Sequence, residues 1–407
     1  LTVSAGLAII LIETAAIFVD GRYTLQAEDQ VDVDIFERRH LINEPPTEWI
    51  IEHLPKGSKL GYDPWLLTPN QVTRYAAACK KAGGSLVALD ENPVDAVWKD
   101  QPPIPLAPVW HLDDMFTGET VKAKRARIAS ILRLNMVDAA LLTAPDSIMW
   151  LLNVRGGDVP YTPVALSFAI IHADASLDWY IDTRKLTPSI LERIDPKISL
   201  HEPSSLGQAL KNLGSAKKTV RLDPGGAPAW TSVQLKGTGA TINFGDDPCQ
   251  LVKAKKNTVQ IQGMRNAHVR DGIAMTQFLA WLSKQPLGPD LTELQAAKKL
   301  EALRQKNDHY QGPSFTTIAG SGPNGAVVHY RVTQESDRLL GEGELFLIDS
   351  GGHYLDGTTD VTRTVAIGTP CPEMSKHWTL VLKGHIALAE ACFPPGTTGS
   401  QLDILAR

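Results

Sequence analysis

Two aspartates, Asp349 and Asp360, stand eleven residues apart, each at the edge of a strand-like apolar run. Between them lie the bends Ser350-Gly351-Gly352 and Asp356-Gly357. Carboxylate oxygens are hard donors, so a converging pair can hold divalent metal ions. Spacing alone permits that convergence without forcing it. A tight turn at Asp356-Gly357 leaves the two arms unequal by about four residues, roughly 13 Å of strand. The expectation is therefore that Ser350-Gly351-Gly352 shortens or re-aims one arm.

Upstream, Gly320-Ser321-Gly322-Pro323-Asn324-Gly325 matches GxGxxG letter for letter. A dinucleotide loop needs a strand before it and a helix after it. Residues 326–332 are β-type in composition, so the run is expected to be a hairpin connection, with His329 on the strand that follows. Asp20-Gly21-Arg22-Tyr23 is expected to be a turn bearing an exposed arginine. Lys253-Ala254-Lys255-Lys256 reads as a solvated helix face.

These residues must be positioned by a chain too long for one ordinary core. With 407 residues, 43% hydrophobic and 21% charged, it has the composition of a globular protein of two to three domains. A net charge of −5 gives no reason to expect nucleic acid or an anionic membrane as partner. The four cysteines, Cys79, Cys249, Cys371 and Cys392, have neither CxxC spacing nor the density of a disulfide framework. They fit a reducing, cytoplasmic setting, each thiol inert or buried. The apolar run 7–12, followed by 15–19, lacks a basic leader region and is interrupted by Glu13. Two buried strands joined at Glu13-Thr14 are the expected structure. The sequence opens inside a strand-like pattern without methionine and closes inside a helix-like one, so it reads as truncated at both ends.

Three segments emerge: 1–103, 104–250 and 251–407. Pro102, Pro103, Pro105 and Pro108 form a stiff connector after the first. In the first, 71–81 is helical and 85–89 a strand. In the second, helices at 120–134 and 148–152 alternate with strands at 139–143, 165–172 and 177–181. This order repeats the later part of the first segment, as expected of two related α/β domains. The third opens with a helix over 257–284, whose Val259, Met264, Val269, Ile273, Met275, Phe278, Leu279 and Leu282 recur at helical spacing. A helix over 291–304 follows, then strands at 315–319, 326–332, 344–349 and 361–367, and a helix over 372–392. Two helices before an antiparallel strand set indicate an α+β domain.

The stretch from Leu347 to Thr364 resembles the segment carrying the two metal-binding aspartates of aminopeptidase P, the Xaa-Pro aminopeptidase of the creatinase-like metallopeptidases. The stretch from Phe315 to Arg331 is similar to that family's substrate-contacting segment. Asp20-Gly21-Arg22-Tyr23 resembles the N-terminal domain of its three-domain form. Leu152-Asn153-Val154-Arg155-Gly156-Gly157-Asp158 looks like its second-domain motif, and Lys255 to Gly272 like the entry helix of its catalytic domain. Departures are small: His353 stands where the family often has glutamine, and Gln262 where glutamate is usual. His268 matches no catalytic position.

The resemblance implies two creatinase-N-terminal-like α/β domains followed by an incomplete pita-bread metallopeptidase domain. It also implies hydrolysis of the bond between an N-terminal residue and a following proline, on a peptide substrate, by a homodimer. The leaving prolyl nitrogen must be protonated as that bond breaks. Two divalent metal ions, usually manganese with zinc or cobalt as alternatives, activate a water and polarise the carbonyl. Asp349 would bind one metal and Asp360 bridge both, while His329 would bind the peptide and help stabilise the reacting centre, and Arg22 reach towards the substrate. The family's remaining ligands, a histidine and two glutamates, normally follow the Thr-Arg-Thr stretch. His377, His385, Glu373 and Glu390 have surroundings unlike those ligand segments. The chain by itself is thus expected to bind metal weakly and to lack peptidase activity. Prolidase, another creatinase-like hydrolase, or a non-catalytic scaffold of the same fold are the alternatives.

Overall fold

The computed structural model describes residues 3–286 and 288–407 of the chain, which divides into two compact units. One runs to Val269 and includes His353–Thr358; the other comprises Arg270–Gly352 and Thr359–Arg407.

In the first unit, Gly6–Ile10 pairs antiparallel with Ala15–Val19, which pairs in parallel with Glu37–His40. The second of these apolar strands is buried along most of its length as expected, the first only at Ile9. Ala16 and Phe18 are enclosed with Trp49, Ile50 and Cys79, whereas Ile10 is 66% exposed. Gly6–Ile10 is an edge strand with a single neighbour, so one side of it faces solvent. The helix Pro69–Lys81 begins where Thr68 and Gln71 cap each other's backbone N–H groups, with proline in the first turn.

A six-stranded sheet follows, in the order Ile198–His201, Leu177–Tyr180, Phe168–His172, Ala139–Leu142, Thr219–Leu222, Thr241–Phe244. Ala139–Leu142 is apolar at every position because both faces of this sheet are covered. Ala140 and Leu142 pack with Ile128, Leu132 and Ile148 on one face. Ala139 and Leu141 pack with Leu206, Leu210 and Leu235 on the other. The Asn153 to Asp158 block is a polar frame beside this core. Asn153 receives the Lys124 ammonium at 2.6 Å, and Asp158 accepts from Lys185 at 2.5 Å and from the Leu166 N–H at 2.7 Å. Burial lowers the Lys124 ammonium to about 8.

The second unit builds a three-stranded antiparallel sheet, Ile318–Ser321, Leu345–Ser350 and Val361–Ala366, beside the helix Glu293–Arg304 and the C-terminal part of the helix Thr258–Leu282. Met275, Phe278, Leu282, Ala296 and Leu300 form the core with Ala319, Phe346 and Ile348. On Thr258–Leu282 the buried stripe is Ala267, Asp271, Ala274, Phe278 and Leu282, at steps of three and four. Val269 and Ile273, expected on that stripe, are 64% and 52% exposed. Counting only large apolar residues misplaces the face, since two alanines and an aspartate occupy it.

Residues 326–332 do not form the expected strand. A 3₁₀ helix, Gly322–Ala326, follows Ile318–Ser321 and leads into a turn. A Cβ at Gly320 would lie 2.8 Å from the Asn324 carbonyl carbon, so the glycines serve a chain that doubles back on itself. With no α-helix opening there, the dinucleotide reading fails as anticipated, though for a different local reason. Cys79 and Cys249 are buried as expected, and Cys371 and Cys392 are exposed. No helix among the described residues is long and apolar enough to cross a membrane.

Candidate metal centre

Leu345–Ser350 alternates along its length. Phe346, Ile348 and Ser350 are buried, and Leu345, Leu347 and Asp349 project from the opposite face. Asp349 therefore avoids the apolar core because of its parity in the strand. Across the ladder, Asp349 faces Thr362 and Ser350 faces Val361. The same register continues outward: the Thr359 N–H donates to the Gly352 carbonyl at 2.9 Å, and the Gly352 N–H to Thr359 Oγ1 at 2.9 Å.

That register resolves the unequal arms. Asp360 precedes Thr362 by two residues, so it shares a face with Asp349, one diagonal step away, about 7–8 Å between backbones and within side-chain reach. The turn falls at Leu355-Asp356, between the pairs His353–Thr358 and Tyr354–Gly357, one residue earlier than Asp356-Gly357. No arm is shortened. Gly351 instead allows close approach, since a Cβ there would sit 1.9 Å from the Thr359 carbonyl oxygen and 2.2 Å from Ser314 Oγ. Gly351→Ala is expected to cost about 1–3 kcal/mol through overpacking and to weaken metal binding, because relief requires the strands to part beside Asp360. Equilibrium unfolding and metal titration of the variant check both effects.

Burial raises the Asp349 carboxyl above its usual range. The Thr362 hydroxyl opposes that shift by hydrogen bonding, Asp360 adds to it by charge and a shared hydrogen bond, and His329 opposes it by charge. Asp349 Oδ1 is buried and has no hydrogen-bond partner. An orphaned carboxylate oxygen beside a second carboxylate suits a hard or borderline divalent cation, so these residues fit a metal. Among the described residues, no group of three or more His, Cys, Asp or Glu side chains is arranged to hold one. The pair is the donor set that the structure brings together.

His329 lies half-buried in the turn after Gly322–Ala326, close enough to Asp349 to act on its carboxyl electrostatically. The loop carrying it is held by two glutamates that the sequence reading passed over. Glu344 accepts from Ser321 Oγ and Arg338 Nη2, each at 2.9 Å. Glu293, fully buried, accepts from the Ser321 N–H at 2.6 Å and from Tyr330 Oη at 2.9 Å. Burial, with this carboxylate adding to it, pushes the Tyr330 phenol up to about 12. In sequence, Thr292-Glu293 looks like any helix start with an acid in its first turn.

Arg22 belongs to the first unit. Its guanidinium grips Asp20 bidentately, Nε to Oδ1 at 2.9 Å and Nη2 to Oδ2 at 2.6 Å, and that hydrogen bonding raises its pKa. His353, in the same unit, places Nε2 2.8 Å from the Tyr161 carbonyl oxygen and Nδ1 3.0 Å from Thr358 Oγ1, a role in holding the hairpin tip.

Comparison with known proteins bears on this geometry. Two creatinase/prolidase N-terminal domain models match residues 1–97 and 100–260, and the metallopeptidase family M24 model matches 262–407. The chain is 38% identical over 419 aligned residues to a probable Xaa-Pro aminopeptidase P of Paracoccidioides brasiliensis, covering 99% of this chain and 68% of that protein. An X-prolyl aminopeptidase from Caenorhabditis elegans, described as a cytosolic enzyme with a di-nuclear active site, superposes with a TM-score of 0.91 at 35% identity, over 99% of this chain and 67% of that one. A Xaa-Pro dipeptidase from Bacillus anthracis, at 18% identity and a TM-score of 0.55 over 70% of this chain and 76% of its own, shares the fold alone. With whole-chain identity at this level, and with M24 residues forming the strands that carry Asp349 and Asp360, the chain belongs to the Xaa-Pro aminopeptidase P family of M24 metallopeptidases.

Proposed function

We propose that the chain is a metal-dependent aminopeptidase that releases the N-terminal residue from peptides with proline in second place, with Asp349 and Asp360 as metal ligands. The observation carrying this is the pairing of two carboxylates on one face of a strand pair, one with an orphaned buried oxygen. Family membership supplies the reaction: hydrolysis by a di-nuclear centre. When bound, two divalent ions supply an acidified water and polarise the scissile carbonyl. Asp349, its carboxylate steadied by the Thr362 hydroxyl, and Asp360 beside it would hold the metal. His329 contacts the peptide beside the reacting carbonyl, and Arg22 reaches towards the substrate. Manganese as the native metal, with zinc or cobalt as substitutes, a homodimer and a cytoplasmic location complete the proposal. The family resemblance supports the first two, and the cytosolic C. elegans relative the last.

The test uses protein expressed from the complete reading frame, with Mn²⁺ and a Xaa-Pro peptide longer than two residues. Release of the N-terminal residue alone is expected. His329→Ala should lower kcat/KM by about 10²–10³, the scale of losing one transition-state donor. Preference for a Xaa-Pro dipeptide would favour prolidase instead. The 407-residue chain alone, with two donors brought together among its described residues, is expected to bind Mn²⁺ weakly and leave the peptide intact. Robust cleavage by that chain, abolished by Asp360→Asn, would overturn this part.

A further inference from the structure

We infer that Glu293 is a positioning residue for His329: its buried carboxylate fixes the loop 321–338 and so sets where the imidazole stands. This rests on the reading of His329 as a peptide contact.

Glu293 opens the helix Glu293–Arg304 and is fully buried. Its two oxygens collect donors from both ends and the middle of one loop. Ser321 N–H reaches Oε1 at 2.6 Å, and Asn324 Nδ2 lies 3.1 Å from Oε1 and 3.2 Å from Oε2. Tyr330 Oη is 2.9 Å and the Arg338 N–H 3.4 Å from Oε2. The Glu293 N–H returns a bond to the Arg338 carbonyl at 3.0 Å. The carboxylate thus ties together residues 17 positions apart in sequence, 321 and 338, within a loop with little regular structure.

Tyr330 follows His329 directly, and its hydroxyl is fixed on every side. Besides Glu293, it lies 2.8 Å from Asn324 Nδ2 and 3.0 Å from the Ser336 carbonyl oxygen. Residue 329 is therefore flanked by an anchored side chain. A buried carboxylate of this kind is retained only while its lone pairs are satisfied. An apolar residue at 293 would close the helix end as well, but it would release four donors and loosen the loop that carries the imidazole. Because imidazole and substrate must meet to within a fraction of an ångström, a loosened loop costs rate without removing any reacting group.

The test measures kcat/KM on a Xaa-Pro peptide with Mn²⁺, in protein from the complete reading frame. Glu293→Gln keeps the volume and one acceptor but places an amide against donors, and about a tenfold loss is expected. Tyr330→Phe, which leaves the carboxylate and the fold in place, should lose a few-fold. In the His329→Ala background neither change should lower kcat/KM further, since the effect passes through that ring. The ¹H–¹³C ring signal of His329 should shift and broaden in both single variants. Equal losses with and without His329, or an unaltered His329 signal and unaltered rate in Glu293→Gln, overturn the inference. If His329→Ala itself keeps full activity, the peptide-contact reading fails, and the positioning role falls with it.

Discussion

Asp360→Asn is expected to abolish the stabilisation that Mn²⁺ confers on the second unit, while making the metal-free protein more stable. Both effects follow from one geometry. The register puts Asp360 on the face of Asp349, where burial and the neighbouring carboxylate hold the Asp349 carboxyl above its usual range. A carboxyl raised on folding makes the folded state bind protons more tightly than the unfolded one. The resulting deficit in stability is absent below the unfolded value and develops as pH rises through the folded value. At neutral pH the metal-free pair is therefore a liability, and amidation of Asp360 removes one contributor to it. A cation relieves the same crowding. At a free metal concentration 100-fold above Kd, the folded state gains about 2.7 kcal/mol. Denaturant titrations with and without Mn²⁺, on wild type and variant, check the prediction. A variant that still gains stability from Mn²⁺ at that saturation would remove Asp360 from the ligand set.

How far this centre could be read from sequence depends on the reach of each interaction. The aspartate pair is local: parity along 345–350 and a two-residue turn suffice to bring the carboxylates to one face. Sequence reasoning placed that turn one residue late, and so invoked a shortened arm that the register does not need. Helix ends were legible to within two residues, 71–81 against Pro69–Lys81 and 291–304 against Glu293–Arg304, although the caps Thr68 and Thr292 went unread. The loop around His329 was not. Val327, Val328 and Tyr330 favour a strand by composition, but Asn324 and Tyr330 are drawn to a carboxylate more than 30 residues upstream. Local β-propensity yields to that tertiary contact. The buried face of Thr258–Leu282 was hidden for a related reason: Asp271 looks like a solvent-facing residue until its partner in another helix is known.

That partner, Arg304, underlies the second large effect. Removal of either member of the Asp271–Arg304 pair is expected to destabilise the second unit by about 3–5 kcal/mol. Arg304 Nε meets Asp271 Oδ1 at 2.7 Å and Nη2 meets Oδ2 at 3.0 Å, with the two side chains 1% and 3% exposed. The geometry is bidentate, so each charge satisfies the other without water. Arg304→Met leaves a carboxylate in a dry site between two helices, and Asp271→Leu leaves a guanidinium there. The double variant Asp271→Leu/Arg304→Met leaves neither, and it should be far closer to wild type than either single change, since a well-packed apolar pair of similar volume often replaces a buried ion pair at little cost. The coupling read from a double-mutant cycle in urea should therefore be large and favourable to the pair. Single variants within about 1 kcal/mol of wild type would show that water reaches the site. Additive losses would show that the two side chains act through separate contacts. The helices joined here also form the core against which Phe346 and Ile348 pack. Because those two residues fix the face on which Asp349 projects, the single variants should weaken Mn²⁺ binding, and the double variant should restore it.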